Sequence, residues 1–372
     1  MKFLFIVQGE GRGHLTQALA LEEILRKGGH EVVETLVGKS NSRQLPGFFN
    51  RNMKAPIRRF DSPNFQPSAA NQRINLTRSV LYNILQLPSY LHSIQFIRQR
   101  IEETGVDAVI NFYELLTGLT YALHRIEVPQ ICIGHQYLFL HSGFELPRHS
   151  RSSLRLLQYF TRLTSLGATR KLALSFCEMP EDVRERITVV PPLLRREVLK
   201  LKADSGDYIH GYMLNSGFAS YVSRWHKDYP EVPLRFFWDR INEPKVKRID
   251  DTLSFYQLDD VEFLRQMKGC KAYASTAGFE SVCEAMFLGK PIMMVPAHIE
   301  QDCNALDAAR NGAGIISHDF NLTELLEFAE TYQPNIGFHQ WVERAPQFIL
   351  NQIEEAVQDY RVVGTAGLLA LR

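Results

Sequence analysis

Hydrophobic positions along this chain fall into short apolar runs separated by amphipathic stretches, the alternation of buried strands with the helices that cover them. In the first half the pattern predicts strands at Lys2–Gln8, Glu31–Val37, near Ile57–Phe60, Asp107–Phe112, Gln130–Gly134, Lys171–Phe176 and Ile187–Val190. Helices are expected between them, one from about His14 to Lys27 and a long helical region between about Asn71 and Glu103. The run Val189-Val190-Pro191-Pro192-Leu193-Leu194-Arg195-Arg196 ends this pattern, and its two prolines, followed by a charged stretch to Asp207, read as a hinge. A second series starts at Tyr208–Leu214, continues through Pro233–Trp238, Thr252–Tyr256, Lys271–Ser275 and Pro291–Val295, and ends in helices. The expected class is α/β with two Rossmann-like domains: residues 1–192, a linker at 193–206, residues 207–345, and a C-terminal helix at 346–372 that either stays with the second domain or crosses back to the first.

Composition agrees with that division. A length of 372 residues with 45% hydrophobic content suffices for two cores. Five cysteines are dispersed, with no CxxC pair and no His at ligand spacing, and read as reduced and packed, which points to the cytosol. The apolar run after Lys2 is too short for a signal peptide and precedes a glycine turn. No segment reaches the roughly 20 apolar residues of a membrane span. The net charge of +1 conceals an asymmetry: the first 200 residues hold 26 Lys+Arg against 17 Asp+Glu, and the rest hold 16 against 24.

The most informative stretch runs from Ser275-Thr276-Ala277-Gly278 through Ser281, Glu284-Ala285, Gly289 and Pro291 to Pro296 and Glu300-Gln301-Asp302-Cys303-Asn304-Ala305. It reads as strand, small-residue turn, helix, strand, turn, helix, which brings two helix N-termini to one edge of a parallel sheet. Ala277 and Gly278 leave backbone amides unobstructed, so phosphate oxygens can sit on the positive end of the helix that follows. Ser281 lies in the first turn, and Glu284, one turn on, can accept both hydroxyls of a ribose. Glu300, Gln301 and Asn304 open the next helix, where acid and amide groups suit sugar hydroxyls.

The pattern (A/G)-G-x-x-S-x-x-E-A-x-x-x-G-x-P, then P-x-x-x-E-Q-x-x-N-A, resembles the nucleotide-sugar donor signature of GT-B glycosyltransferases of the UDP-glycosyltransferase kind. The peptidoglycan N-acetylglucosaminyltransferase (MurG-like) group is a close comparison. Thr276 stands where the plant and vertebrate members carry His, a departure that leans toward the bacterial lipid-linked transferases. The resemblance implies two facing domains with a ligand cleft between them. It also extends to other junctions. Gly9-Glu10-Gly11-Arg12-Gly13-His14 resembles the glycine loop of the N-terminal domain, where Gly11 and Gly13 let an acceptor approach the backbone. The dinucleotide fingerprint G-x-G-x-x-G is not matched, since His14 falls on its last glycine. Asn215-Ser216-Gly217 sits where the family places a second phosphate-contacting loop, or else is an N-cap and turn. Leu258, within Gln257-Leu258-Asp259-Asp260, sits where the family holds the nucleobase through backbone atoms; a capped helix start is the other reading.

Such a reaction needs a base for the acceptor hydroxyl and stabilisation of the departing diphosphate. His14, with an ordinary pKa near 6.5 at a glycine turn, is the candidate base, the alternative being a packed first-turn histidine. Glu114 is a second candidate base or orienting carboxylate and Glu10 a third. No convincing Asp-x-Asp motif occurs, so helix dipoles and hydroxyls are the expected stabilisers, with no essential metal and no cofactor. The resemblance implies a single displacement with inversion. Glu284→Ala is expected to weaken donor binding with the fold intact.

For the acceptor, the clue is a segment free of acidic residues between Glu145 and Glu178, in which Arg148, Arg151, Arg155, Arg162, Arg170 and Lys171 accompany leucines and aromatics. It reads either as a face for an anionic membrane, suiting a lipid-linked acceptor, or as an amphipathic helix packed on the sheet. A soluble phosphorylated acceptor suits the same charge. The stretch from Ser62 to Ile101 is likewise free of acid. Two other readings stay open: a nucleotide-sugar 2-epimerase of the same fold, and a non-catalytic nucleotide-sugar-binding protein. Nucleic-acid binding is disfavoured, because the basic residues lie among aliphatics and no recognised module is present.

Overall fold

In the computed structural model, which describes residues 1–39, 45–63, 87–213, 216–240 and 242–369, the chain builds two seven-stranded sheets. The first holds β1 (Lys2–Gln8), β2 (Glu31–Gly38), β3 (Ile57–Phe60), β4 (Ala108–Phe112), β5 (Gln130–Gly134), β6 (Ala168–Leu174) and β7 (Ile187–Val190) in the order β3-β2-β1-β4-β5-β6-β7. All its pairings are parallel. Its helices are α1 (Arg12–Lys27), α2 (Gly47–Asn52), α3 (Leu87–Thr104), α4 (Leu115–Leu123) and α5 (Arg151–Thr164). Residues Phe3 to Val7, Ala108 to Ile110 and Ile131 to Ile133 are fully buried, which is why their apolar runs have no polar alternation.

The second sheet holds β8 (Ile209–Tyr212), β9 (Leu234–Trp238), β10 (Val246–Arg248), β11 (Leu253–Gln257), β12 (Ala272–Ser275), β13 (Ile292–Met294) and β14 (Gly314–Ile316) in the order β10-β11-β9-β8-β12-β13-β14. Only β10, on the edge, runs antiparallel to its neighbour among the described residues. The helices that follow the short α6 (Arg196–Leu199) are α7 (Ala219–Asp228), α8 (Asp260–Gly269), α9 (Phe279–Phe287), α10 (Ile299–Arg310), α11 (Leu322–Thr331), α12 (Ile336–Glu343) and α13 (Ala345–Leu369).

In each sheet the strand order reverses beside the first strand, between β1 and β4 and between β8 and β12. Such reversals open a crevice at the carboxyl ends of the strands, the usual ligand position in open α/β sheets. The connections described at those ends are 9–11 and 113–114 in the first domain, and 276–278 and the 3₁₀ turn Ser216–Phe218 in the second.

An apolar cluster runs across the junction without a break. Phe279, at the start of α9, lies edge-on to Phe176 with centroids 5.0 Å apart and stacks on His135 at 3.9 Å. Phe338 of α12 lies 6.1 Å from Phe176. Each buried ring of this kind contributes roughly 1.5–3 kcal/mol, enough that the domains pack on one another. Helix α13 lies against β6 and β7, where Arg170 pairs with Asp359 at 2.9 Å, and near α1, where His30, just before β2, bonds Glu354 through its Nε2 at 2.9 Å.

Some sequence expectations shift. The strand placed at Lys171–Phe176 is Ala168–Leu174, and α1 begins at Arg12 rather than His14. The described part of the helical region expected from Asn71 starts at Leu87; residues 71–86, with Arg73 and Arg78, lie outside the described residues.

Candidate active site

The glycine loop after β1 and the turn after β12 face each other across the cleft. A Cβ placed on Gly13 would stand 3.1 Å from Glu280 Cγ, so α1 and α9 approach closely there and a methyl would require the Glu280 side chain to shift by a few tenths of an ångström. Gly11 is the N-cap of α1, and its amide donates to Gln8 Oε1 at 3.4 Å. Arg12 reaches across to Asp260 of α8 at 3.1 Å.

His14 lies in the first turn of α1 and is buried. Its Nδ1 is 3.2 Å from Gln17 Oε1, one helical turn along the same face. Its Nε2 is 3.5 Å from Gln136 Nε2, and its ring stacks at 5.5 Å on Tyr113. Burial pushes the imidazole below its ordinary pKa, opposed by the charge of Glu300 and by the Gln17 contact. Tyr113 has a φ of 60°, a left-handed backbone that a bulky residue rarely adopts, and its hydroxyl bonds Thr161 Oγ1 at 2.7 Å.

Glu114 caps α4. Its Oε1 accepts from Leu116 N at 3.1 Å and from the Ser62 hydroxyl at 2.7 Å, and burial pushes its carboxyl up to about 7 against those bonds. The residue is wholly buried.

At the turn after β12, Thr276 and Ala277 are fully buried. Ala277 adopts a φ of 57°, so the chain bends through a left-handed conformation just before α9. Gly278 is the N-cap of α9, with no side chain capping the first turn. Asn304 Nδ2 donates to the Ala277 carbonyl at 3.1 Å and ties α10 to this turn. The Ser281 hydroxyl donates to the Gly278 carbonyl at 3.2 Å. The strand, turn and helix expected here are present and no side chain caps the first turn of α9, but the Ala277 amide donates to Ser275 Oγ at 3.2 Å and is not open.

Glu284 is placed differently from an open ribose acceptor. It is buried, and its Oε1 and Oε2 accept from Arg195 Nε at 2.5 Å and Nη2 at 2.9 Å. Arg195 belongs to the proline-rich hinge segment and also lies 3.9 Å from Asp260. Removing the carboxylate leaves a guanidinium whose side chain is 16% exposed with only the longer contact to Asp260. An intact fold for Glu284→Ala is therefore not what the packing supports.

Glu300 and Gln301 open α10. Glu300 Oε1 accepts from Gln136 Nε2 at 2.9 Å, a bond between the domains, whereas Gln301 folds back so that its Oε1 accepts from Ala297 N at 2.9 Å. Leu258 is half-buried just after β11, and Asp259 caps α8 by accepting from Val261 N and Glu262 N. Ser216 and Gly217 form a short 3₁₀ turn after β8 with Gly217 exposed, while Asn215 lies outside the described residues. Among the described residues no group of three or more His, Cys, Asp or Glu is placed to hold a metal, and no helix is long and apolar enough to cross a membrane.

Sequence reasoning missed Gln17, Gln136, Glu280 and Arg195. Gln17 carried a signal, its three-residue spacing from His14. Gln136, Glu280 and Arg195 act through contacts between elements distant in sequence. Glu280 accepts from Gln17 Nε2 at 2.5 Å, and burial pushes its carboxyl up to about 8.

Of the acid-free segment, residues Arg151–Thr164 form α5, whose Leu154, Thr161 and Thr164 face inward, whereas Arg170 and Lys171 lie on β6; Arg162 and Lys171 pair with Glu185, and Arg170 with Asp359. Leu154 shares an apolar cluster with Phe139 of the first domain and Cys303 of α10. Leu156 and Tyr159 are 52% and 62% exposed, beside exposed Arg151 and Arg155.

Comparison with known proteins fits this architecture. A solved glycosyltransferase of kitacinnamycin superposes with a TM-score of 0.65 at 15% identity, covering 95% of this chain and 98% of its own. A Phytolacca americana UGT2 structure, complexed with UDP-2fluoro-glucose and pterostilbene, gives 0.61 at 14% identity over 96% and 100%. MurG of Acinetobacter baumannii gives 0.51 at 16% identity over 95% and 99%. No curated protein matches the chain. The family model described as Glycosyl transferase family 1 matches residues 1–332, and the chain belongs to that family of GT-B glycosyltransferases.

Proposed function

We propose that this glycosyltransferase takes its sugar from a nucleotide-sugar donor, a UDP-sugar, bound at the turn between β12 and α9. The observation that carries the reading is that the uncapped N-terminus of α9 faces the His14 turn of α1 across the cleft. The diphosphate sits on the first-turn amides at Gly278, where the helix dipole favours an anion, with the Ser281 hydroxyl, Thr276, Ala277, Asn304, Ser216 and Gly217 around it. Glu284 takes the ribose hydroxyls with the acceptor positions that Arg195 leaves free, since a carboxylate offers about four. Leu258 meets the base through its backbone, and Glu300 and Gln301 meet the sugar. The UDP-sugar in the Phytolacca americana structure supports the choice of uridine.

His14 acts as the base. It removes the proton of an acceptor hydroxyl approaching over Gly11 and Gly13, the acceptor oxygen bonds the anomeric carbon, and the bond from that carbon to the diphosphate oxygen breaks on the opposite face. The configuration inverts, and the nucleoside diphosphate leaves with its charge met by the α9 amides. Glu114, buried as a helix cap, is left with a structural part.

The acceptor we propose is a hydroxyl on a lipid-linked carrier. Exposed Leu156 and Tyr159 beside Arg151 and Arg155 support peripheral contact with an anionic bilayer, at about 1 kcal/mol for each basic residue near the surface. Pelleting with anionic but not neutral vesicles, lost in high salt, is the expected result; equal partitioning to both removes this part of the reading. For the donor, a thermal-shift panel of UDP, GDP, TDP and CMP nucleotides and their sugars tests the proposal. Selective stabilisation by the uridine series is expected, and no response to any of them refutes it.

A further inference from the structure

Two glutamines flank the His14 ring, and each donates to a glutamate oxygen from the opposite domain. Gln17 Nε2 donates to Glu280 Oε1, which turns its Oε1 toward His14 Nδ1 at 3.2 Å. Gln136 Nε2 donates to Glu300 Oε1 at 2.9 Å, and that same nitrogen is 3.5 Å from His14 Nε2. Gln17 and Gln136 belong to the first domain, and Glu280 and Glu300 open α9 and α10 of the second. An amide oxygen only accepts and an amide nitrogen only donates. The ring therefore faces an acceptor at Nδ1 and a donor at Nε2. A neutral imidazole satisfies both in one tautomer alone, with the proton on Nδ1 and the lone pair on Nε2.

We infer that Gln17 and Gln136, anchored by Glu280 and Glu300 of the second domain, are positioning residues that hold His14 as its Nδ1–H tautomer, with Gln136 donating to the basic Nε2 lone pair until an acceptor hydroxyl takes its place. The inference rests on the proposal that His14 is the base, and gives that base its orienting partners. Because each anchor comes from the second domain, the base is complete only while the domains are together. An amide in place of a carboxylate at Nδ1 also leaves the imidazole uncharged: it polarises the ring less than an anion would, and burial keeps the proton off. The charged and titratable groups facing the ring are Glu300 from α10, Glu280 behind Gln17, and Tyr113 stacked beneath it.

The test is nitrogen NMR of protein labelled with ¹⁵N-histidine, the His14 signals being assigned by their loss in His14→Gln. The expected result is a protonated Nδ1 and an unprotonated Nε2 at neutral pH. An Nε2–H tautomer overturns the inference, because both amides would then be turned the other way. Gln17→Leu should yield a tautomer mixture and lower kcat roughly 10- to 100-fold, a part of what a positioned base contributes, with the donor KM unchanged. Gln17→Glu should restore the Nδ1–H form and raise the acid limb of the kcat/KM profile by about one pH unit or more. A Gln17→Leu protein with the wild-type tautomer and kcat also overturns the inference. The readings separate cleanly: an Nδ1–H tautomer in an enzyme whose transfer survives His14→Gln sinks the assignment of the base and leaves the tautomer clamp standing.

Discussion

Replacing Gly278 by alanine separates a structural glycine from one that serves a phosphate. The residue has φ −69° and ψ 128°, an extended conformation open to alanine, and the nearest atom to an added Cβ is Ser281 Oγ at 3.7 Å, an ordinary contact. Alanine is a poorer N-cap than glycine by about 0.5–1 kcal/mol, and it recovers about 0.4–1 kcal/mol by narrowing the unfolded ensemble. The two nearly cancel, so the unliganded variant should melt within about 2–4 °C of wild type. Donor binding should respond very differently. A methyl group over the first amides of α9 displaces a phosphate oxygen from one or two charge-assisted hydrogen bonds, a loss of roughly 2–3 kcal/mol or 30- to 150-fold in Kd. Calorimetric titration of UDP into both proteins, with a melting curve of each alone, reads the two quantities separately. Unchanged affinity in the variant refutes the placement of the diphosphate, and a large drop in melting temperature without ligand refutes the claim that the glycine is dispensable to the fold.

Glu284→Ala should lose up to about 3 kcal/mol of stability in urea unfolding, since it leaves the largely shielded Arg195 with only its longer contact to Asp260 at 3.9 Å; a loss below 1 kcal/mol would mean that water reaches the guanidinium. His210 is fully buried among Phe237, Phe263 and Tyr273, and burial pushes its pKa down to about 3. The folded chain refuses a proton that the unfolded chain takes as pH falls from 6.5 toward 3, so stability should drop by up to about 5 kcal/mol across that window; His210→Phe should flatten the decline, and an unchanged slope contradicts the assignment. Glu114, pushed up to about 7, works in the other direction. Its folded form keeps a proton that the unfolded form releases, so stability falls as pH rises from about 4.5 to 7, and Glu114→Gln should gain up to about 3 kcal/mol at pH 8 while matching wild type at pH 4. Equal stability of the two proteins at pH 8 would show that Glu114 is ionised in the fold.

Much of the fold was legible because parallel strands buried on both faces leave continuous apolar runs, as at Phe3 to Val7 and Ile131 to Ile133. The short edge strands Val246–Arg248 and Gly314–Ile316 escaped notice: the former is largely exposed and the latter begins with glycine, so neither shows an apolar run. In the site, the Ala277-Gly278 turn and the first-turn residues could be anticipated because that geometry is local. The partners of Glu284 and His14 could not. Arg195 is 89 residues from Glu284 and Glu280 is 263 from Gln17, and nothing in a linear pattern announces a contact made by domain closure. Glu114 illustrates the converse, since a carboxylate after a strand reads as a candidate base until its oxygen is seen to cap α4.

The account turns on where the diphosphate binds, and diffraction from crystals grown with an unreactive UDP-sugar analogue locates it directly. We expect its oxygens within hydrogen-bond reach of the backbone amides that open α9, with the anomeric carbon turned toward His14. A nucleotide seated instead in the Gly9–Gly13 loop of the first domain would contradict the account.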